Sequence, residues 1–466
     1  MYNRGFKIYF LAAALIIVSL TGCKKWLDTD PPLQVVENTV LSTEQGFKEA
    51  LNGVYLQMGG KSVYGRDMTF GLMSVLGRSY DTTISPAIAN LYYQGARYNF
   101  QDPEVKATFN TIWNSLYISI ANVNNVLENA ETRQNVFTGN NYNTTKGEAL
   151  ALRAFLHFDL LRMFAPSPAA AGLNVPAIPY VSKISPYAEP TSTTGAVLDL
   201  CIADLKTAES LLSQTDITTS RLNYWGVKGL LARIYLYKGD LQNAQVYALS
   251  VINSNKFPLY TGTSTTDWMF NKEHLFSLYS SLNISTNDYY KSVLNTNPPL
   301  GFTVLNQTAL YVTGGGATSD LRKGAGGAGA FVDPATGAVN FSISNNNISP
   351  RKCYATTANL ANVLPMIRVT EMYYIAAECA TAALDSLKAT DLLDSVRVHR
   401  NLPKYTLPAL KRDSLNIEIR KEYQKEFLCE GQMFYFYKRK NLPIASLPFT
   451  RVPVVADASY VFIKPE

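Results

Sequence analysis

Apolar residues recur at spacings of three and four along much of the chain, which predicts amphipathic helices. In segment 105–132, for example, Phe109, Ile112, Leu116 and Ile120 fall on one face. Segment 146–164 is apolar almost throughout, so we expect that helix to be buried. The pattern predicts helices over 43–58, 105–132, 146–164, 194–213, 223–238, 240–254, 365–384, 388–399 and 413–438.

Between these helices lie long polar stretches without a helical period, at 59–103, 165–192, 256–360 and 440–466. Loops of this length usually carry function or small elements of their own, and short strands are expected within 341–356. We therefore predict a mainly all-α fold: one helical domain over 41–466, with irregular insertions at about 59–103 and 256–360.

Segment 225–248 resembles a tetratricopeptide unit, with Ala232, Gly239, Ala244 and Ala248 near the small positions of that repeat. Small residues let two antiparallel helices approach closely, and Gly239 with Asp240 can form the turn between them. Segment 372–396 looks like a second, degenerate copy. The pattern indicates a tetratricopeptide-like scaffold of helical pairs.

The start of the chain has the pattern of a bacterial lipoprotein. Arg4 and Lys7 precede an apolar run at 8–20, which is too short for a membrane-spanning helix and typical of a secretory signal. Leu-Thr-Gly-Cys at 20–23 resembles a lipobox. We expect a signal peptide at 1–22, lipidation of Cys23, and a tether at 23–40 that anchors the domain through acyl chains.

Composition argues against several other classes of protein. The formal charge is +6, and the charges are dispersed, which does not favour nucleic-acid binding. Three histidines with no metal-ligand spacing give no sign of a metal site. The Gly-rich match at 324–329 follows Arg322-Lys323 and precedes Pro334, so we interpret it as a loop and expect no dinucleotide cofactor. We expect no catalytic residues.

Several polar residues in apolar helices are expected to be structural. Arg153 needs a carboxylate or carbonyl partner because an isolated buried charge is costly, and Glu371, Glu378, Glu422 and Glu430 are candidates. His157 is expected to be a core histidine with both ring nitrogens bonded. Cys201, Cys379 and Cys429 are interpreted as small core residues; a single disulfide stays open.

Four blocks of the chain together resemble the SusD/RagB family of Bacteroidetes outer-membrane lipoproteins. The first is Cys-Lys-Lys-Trp-Leu-Asp-Thr-Asp-Pro-Pro at 23–32, and the second is the Glu-Ala-Leu-Ala-Leu-Arg-Ala-Phe-Leu-His helix that begins at 148. The third is the unit at 230–248. The fourth comprises 366–378 and 419–439. The blocks occur in the family's order over nearly the whole mature chain.

The resemblance implies a lipid-anchored protein on the outer cell surface that captures an oligosaccharide or polysaccharide. It also implies a partner, a SusC-type TonB-dependent transporter that receives the ligand. The membrane would be contacted through the lipid anchor alone, and no cofactor, metal or nucleic acid is implied. Two alternatives stay open: capture of peptides or another nutrient oligomer, and a helical-repeat scaffold without a ligand of its own.

In this family, loops above the helical body contact the ligand, so the resemblance points to two loops of this chain. Aromatic rings stack on the apolar faces of sugars, while Arg and Asp bond the hydroxyls. From the first loop we select Arg78, Tyr80, Asp81, Tyr92, Tyr93 and Arg97. From the second we select Trp268, Tyr279, Tyr289, Tyr290 and Tyr311.

Overall fold

The computed structural model describes residues 40–80, 86–262, 267, 269–280, 300, 302–311, 320–323, 331–332, 347–350, 363–405 and 411–465. Helices dominate this part of the chain, as predicted. They are α1 (Glu44–Met58), α2 (Leu72–Leu76), α3 (Pro86–Ala96), α4 (Pro103–Thr132), α5 (Asn141–Phe164), α6 (Pro168–Ala171), α7 (Thr194–Leu211), α8 (Tyr224–Lys238), α9 (Leu241–Ile252), α10 (Val304–Tyr311), α11 (Val369–Ala382), α12 (Ser386–Val398), α13 (Arg412–Glu426) and α14 (Gln432–Arg439).

Short antiparallel strand pairs supplement the helices. They are formed by β1 (Pro176–Pro179), β2 (Thr191–Thr193), β3 (His274–Tyr279), β4 (Phe302–Thr303), β5 (Phe331–Val332), β6 (Asn347–Pro350) and β7 (Val363–Arg368). Strand β1 pairs with β2, β3 pairs with β7, and β6 lies between β4 and β5. The β3–β7 ladder matters most for the site, because it joins two segments nearly 90 residues apart and aligns Tyr279 with Val363.

Helix α5 lies at the centre of the core. From Gly147 to Phe164 every residue is buried, which explains why its sequence has no polar stripe. It packs against α4 and α7, and the helix-to-helix contacts continue through α8, α9, α11 and α12. Consecutive helices therefore pack side by side, as expected for a scaffold of helical pairs.

The turn between α8 and α9 has the chemistry predicted for a helical pair. Gly239 has φ +92°, and the Asp240 N–H donates to the Tyr235 carbonyl at 2.9 Å. The Asp240 side chain then caps α9 by accepting from the Asn243 N–H at 3.0 Å. Ala244 and Ala248 are fully buried, so the two helices approach closely at these small residues.

Three sequence predictions about elements need correction. Region 59–103 is not an irregular insertion: it contains α2, α3 and a tightly buried turn in which Tyr64 donates to Asp159 at 2.7 Å. The predicted helix 365–384 begins as strand β7. The predicted helix 413–438 is two helices, because Cys429 at φ +61° and Gly431 at φ +72° turn the backbone between α13 and α14.

Candidate ligand-binding surface

The structure separates the predicted contact residues into three groups. Arg78, Tyr80, Tyr92 and Tyr311 are buried, whereas Tyr93 and Arg97 are half-buried and Tyr279 is exposed. Asp81, Trp268, Tyr289 and Tyr290 lie outside the described residues, as do Cys23 and the tether, and they stay predictions.

The expectation that Tyr80, Tyr92 and Tyr311 lie on an exposed surface is wrong. The Tyr80 hydroxyl donates to the Phe70 carbonyl at 2.6 Å, and the Tyr311 hydroxyl donates to the Lys425 carbonyl at 3.4 Å. Burying a tyrosine ring while its hydroxyl finds a backbone acceptor is favourable, and the sequence does not reveal which tyrosines achieve it.

Arg78 is buried like a core residue, but its polar atoms are not fully paired. Its Nη1 donates to the Ala96 carbonyl at 2.6 Å, and its guanidinium lies 5.1 Å from the centre of the Tyr98 ring. The Nε and Nη2 groups have no hydrogen-bond partner among the described residues, although only 4% of Arg78 is exposed. Unpaired buried donors cost about 1–3 kcal/mol each, so a missing acceptor is indicated here.

Tyr93 on α3 and Arg97 directly after that helix form a second feature of the same region. The Arg97 guanidinium lies 5.5 Å from the Tyr93 ring centre, and Arg97 Nε donates to the Pro453 carbonyl at 3.2 Å. The Val455 N–H in turn donates to the Arg97 carbonyl at 3.0 Å. The C-terminal segment therefore holds this arginine and limits its reach toward a ligand.

Tyr279 ends strand β3 and is 56% exposed. Its backbone is fixed by pairing with Val363 and by close packing on Gly59, which follows α1. The approach is so close that a Cβ added to Gly59 would lie 2.3 Å from the Tyr279 carbonyl oxygen. An exposed ring on a fixed backbone is suited to stacking on a sugar face, since little conformational freedom is lost on binding.

Sequence reasoning missed one exposed aromatic residue. Tyr187 is 82% exposed and follows Ile184, which is 52% exposed, in the segment between β1 and β2. The signal was available, because residues 165–192 were recognised as irregular and Tyr187 follows a proline. No described contact of Tyr187 indicates a ligand, so it serves below as a control.

A cluster of buried charges holds the second predicted loop against the helical body. Arg368 on β7 donates to Glu426 on α13 at 2.6 Å, and Arg400 bonds both Glu426 and Glu273 within 3.1 Å. Ion pairs of 3.6 Å or less join its members, which we call the buried ionic cluster: Glu273, Asp320, Arg322, Arg368, Arg397, Arg400, Glu422, Lys425, Glu426 and Glu430.

The electrostatics of this cluster keep Glu422 and Glu426 ionised. Burial alone would raise the pKa of Glu422, but Arg322 and Lys425 hold it down at about 2. Arg400 and Arg368 likewise hold the pKa of Glu426 well below its ordinary value. Every member is buried and has an opposite charge within the cluster, so its role is structural: it positions β3, and with it Tyr279.

Arg153 and His157 are structural, as expected. Arg153 makes a bidentate pair with Asp204 at 2.7 Å, so the prediction of a carboxylate partner is confirmed, but the four candidate glutamates were wrong. His157 Nδ1 donates to the Arg153 carbonyl, and Nε2 accepts from the Val181 N–H, each at 2.9 Å. Burial lowers the pKa of His157 to about 3, so the ring is neutral.

The described part of the chain shows neither a metal site nor a membrane-spanning helix. No group of three or more His, Cys, Asp and Glu side chains in this part of the chain could hold a metal ion. No helix described here is long and apolar enough to cross a membrane.

Comparison with known families identifies the class of protein. A family model described as starch-binding and associating with the outer membrane matches residues 25–236, and a model of the SusD family matches residues 261–444. The two matches together cover most of the chain. The chain belongs to the SusD/RagB family, which confirms the resemblance found in the sequence.

Two curated relatives come from Formosa agariphila. SusD-like protein P2 is 24% identical over 259 residues, covering 54% of this chain and 46% of the relative. SusD-like protein P38 is 32% identical over 117 residues, covering 25% of this chain and 22% of the relative. The matched stretches therefore span less than half the length of these relatives.

Solved structures show that the fold is shared. A SusD superfamily protein from Bacteroides thetaiotaomicron is 22% identical with a TM-score of 0.67, covering 88% of this chain and 92% of that one. A proposed sugar-binding protein from Bacteroides vulgatus is 24% identical with a TM-score of 0.68, covering 91% of each chain. A SusD-like carbohydrate-binding protein from the same species is 19% identical with a TM-score of 0.67, covering 86% of this chain and 84% of that one.

Proposed function

We propose that this chain is a surface lipoprotein that captures an oligosaccharide or polysaccharide and delivers it to a SusC-type TonB-dependent transporter. Family membership supports the binding role, since the matching model is described as starch-binding and two solved structures of the same fold are described as sugar- or carbohydrate-binding. The observation in this chain that carries the proposal is Arg78, a buried arginine whose Nε and Nη2 lack acceptors.

Arg78 favours a binding protein over a scaffold. Unpaired buried donors are uncommon in native folds, so two on one side chain support a site that a ligand completes. A sugar hydroxyl or ring oxygen could accept from these groups. Tyr279 adds an exposed ring that can stack on the apolar face of a sugar.

The anchor and the partner belong to the same proposal. Acylation of Cys23 would hold the protein to the outer membrane, and the polar tether at 23–40 would let the domain move relative to a transporter. Labelled palmitate should be incorporated into the wild-type chain but not into Cys23→Ala. The transporter should co-purify with the wild-type chain from outer membranes solubilised in mild detergent, and its absence would argue against delivery.

Ligand binding is tested with the chain begun at Lys24, which lacks the lipid. Affinity electrophoresis against a panel of polysaccharides should reveal one that retards migration. Tyr279→Ala and Arg78→Gln should weaken the retardation, whereas Tyr187→Ala, which removes another exposed tyrosine, should not. Thermal unfolding of each variant would establish that the fold is intact.

The alternatives give different results in the same assay. If no polysaccharide retards migration and titration of peptide mixtures releases heat, the ligand is a peptide rather than a glycan. If neither polysaccharides nor peptides bind, the scaffold is favoured.

A further inference from the structure

A cavity lies on the helical body, between the end of α8, the helix α11 and the facing ends of α13 and α14. Its volume is about 500 Å³, which is within the range of about 300–1,000 Å³ that small-molecule sites usually have. It is lined by Tyr237, Lys238, Glu378, Arg412, Arg439 and Lys440, among others. We call it the basic cleft.

Positive charge exceeds negative charge in the basic cleft. Four cationic side chains line it against one carboxylate, that of Glu378. Arg439 bonds Glu378 through both nitrogens at 2.6 and 2.9 Å, and Lys440 pairs with the same carboxylate. Burial alone would raise the pKa of Glu378, but Arg439 and Lys440 hold that pKa at about 2, so the carboxylate stays ionised. Its single negative charge is shared by two cations.

The other two cations of the cleft are not neutralised within it. Lys238 pairs with Asp199, whose side chain is 63% exposed and does not line the cleft. Arg412 forms no ion pair with any described residue. The lining therefore carries an excess positive charge that an anionic ligand would offset.

A small inner chamber of about 40 Å³ adjoins the cleft, since Tyr237 and Arg439 line both. The hydroxyls of Tyr237 and Tyr435, which also lines the chamber, are buried and have no hydrogen-bond partner among the described residues. The chamber exceeds the roughly 10–15 Å³ that one water requires, so it has room for a few oxygen atoms.

The arginines of the inner chamber do not satisfy these hydroxyls. Arg233 is paired with Glu371 at 2.6 Å, and Arg162 is paired with Asp159. A guanidinium can only donate, so the two tyrosine hydroxyls lack an acceptor that a ligand oxygen would provide.

We propose that the basic cleft is a binding site for a small oxyanion-bearing ligand, with a carboxylate or sulfate group accepting from Tyr237 and Arg439, which line both the cleft and the inner chamber. The ligand could be an acidic sugar or a free inorganic oxyanion, which share this chemistry. The site lies on elements other than those that carry Arg78 and Tyr279, and the proposal does not depend on glycan capture there.

The test is calorimetry with the full chain in detergent at low ionic strength. The probes are sodium glucuronate and sodium sulfate, with glucose as the neutral control. Binding of either anion, without binding of glucose, is expected. Tighter binding of glucuronate would identify a sugar-borne carboxylate as the source, and binding of sulfate alone would identify a free oxyanion.

Two variants locate the site. Tyr237→Phe removes a hydroxyl that has no partner in the described structure, so it should leave stability unchanged or slightly higher while weakening anion binding about tenfold. Arg412→Gln should weaken binding a few-fold, and Lys388→Gln, which removes an exposed charge that does not line the cleft, should have no effect. The proposal is overturned if neither anion binds, or if anion binding is the same in Tyr237→Phe, Arg412→Gln and the wild-type chain.

Discussion

Replacing Glu426 with Gln removes one charge from the centre of the buried ionic cluster and nearly preserves the side-chain volume. Glu426 Oε1 accepts from Arg368 at 2.6 Å and from Arg400 at 2.9 Å, while Oε2 accepts from Arg322 at 3.2 Å. The cluster as defined above holds five cations and five carboxylates, so Glu426→Gln leaves one buried cation without a compensating charge.

The size of the effect follows from this imbalance. Removing one partner of a buried ion pair costs about 3–5 kcal/mol, because the remaining charge stays desolvated. Folded domains are stable by only about 5–15 kcal/mol, so this variant loses a large share of its stability. We expect the loss in the free energy of unfolding to lie near the upper end of the range, since three arginines lose the same carboxylate.

Urea unfolding followed by circular dichroism measures this loss, provided that the unfolding slope is unchanged. Glu131→Gln is the control, because Glu131 pairs with Lys146 at the surface and its side chain is 57% exposed. Exposed pairs contribute less than about 1 kcal/mol. If Glu426→Gln were no more destabilising than Glu131→Gln, the cluster would not anchor the second loop as argued here.

Three further predictions follow from the structure. In urea unfolding, Gly431→Ala should destabilise the chain by more than Gly139→Ala, which should cost roughly 1–2 kcal/mol. Both glycines have positive φ, but a Cβ added at Gly431 would lie 2.3 Å from the Met68 carbonyl oxygen, whereas nothing lies within 4 Å of one added at Gly139. His157→Leu should cost about 1–3 kcal/mol in the same measurement, since the Val181 N–H loses its acceptor; an unchanged midpoint would contradict this role. Stability should fall as pH drops from about 4.5 toward 2, because the unfolded chain protonates Glu422 near 4.5 while the folded chain keeps it ionised down to about 2; thermal unfolding that is constant over this window would refute the assignment.

The helical body was predictable because its signals are local. Periodic apolar residues located α4, α5 and the α8–α9 pair to within a few residues, and Gly239 with Asp240 indicated the turn between the last two. The break between α13 and α14 was missed because Cys429 takes a positive φ, which a sequence pattern does not predict for a cysteine.

The candidate surface was harder to predict because burial depends on distant partners. Nothing near Tyr80 in sequence shows that its hydroxyl bonds the Phe70 carbonyl, and Arg153 pairs with Asp204 rather than with the acidic residues of the later helices. Tyr279 is exposed, as expected for the second loop, but the sequence did not predict strand β3, whose first five residues are all buried. Its contact with a ligand stays a prediction.

We propose that the Nε and Nη2 donors of Arg78 bind a ligand oxygen. A crystal structure of the chain begun at Lys24, in complex with an oligosaccharide of the polysaccharide that retards it, tests this most directly. We expect a ligand oxygen within hydrogen-bond distance of Arg78 Nε or Nη2. An oligosaccharide bound elsewhere, with Arg78 still lacking an acceptor, would contradict it.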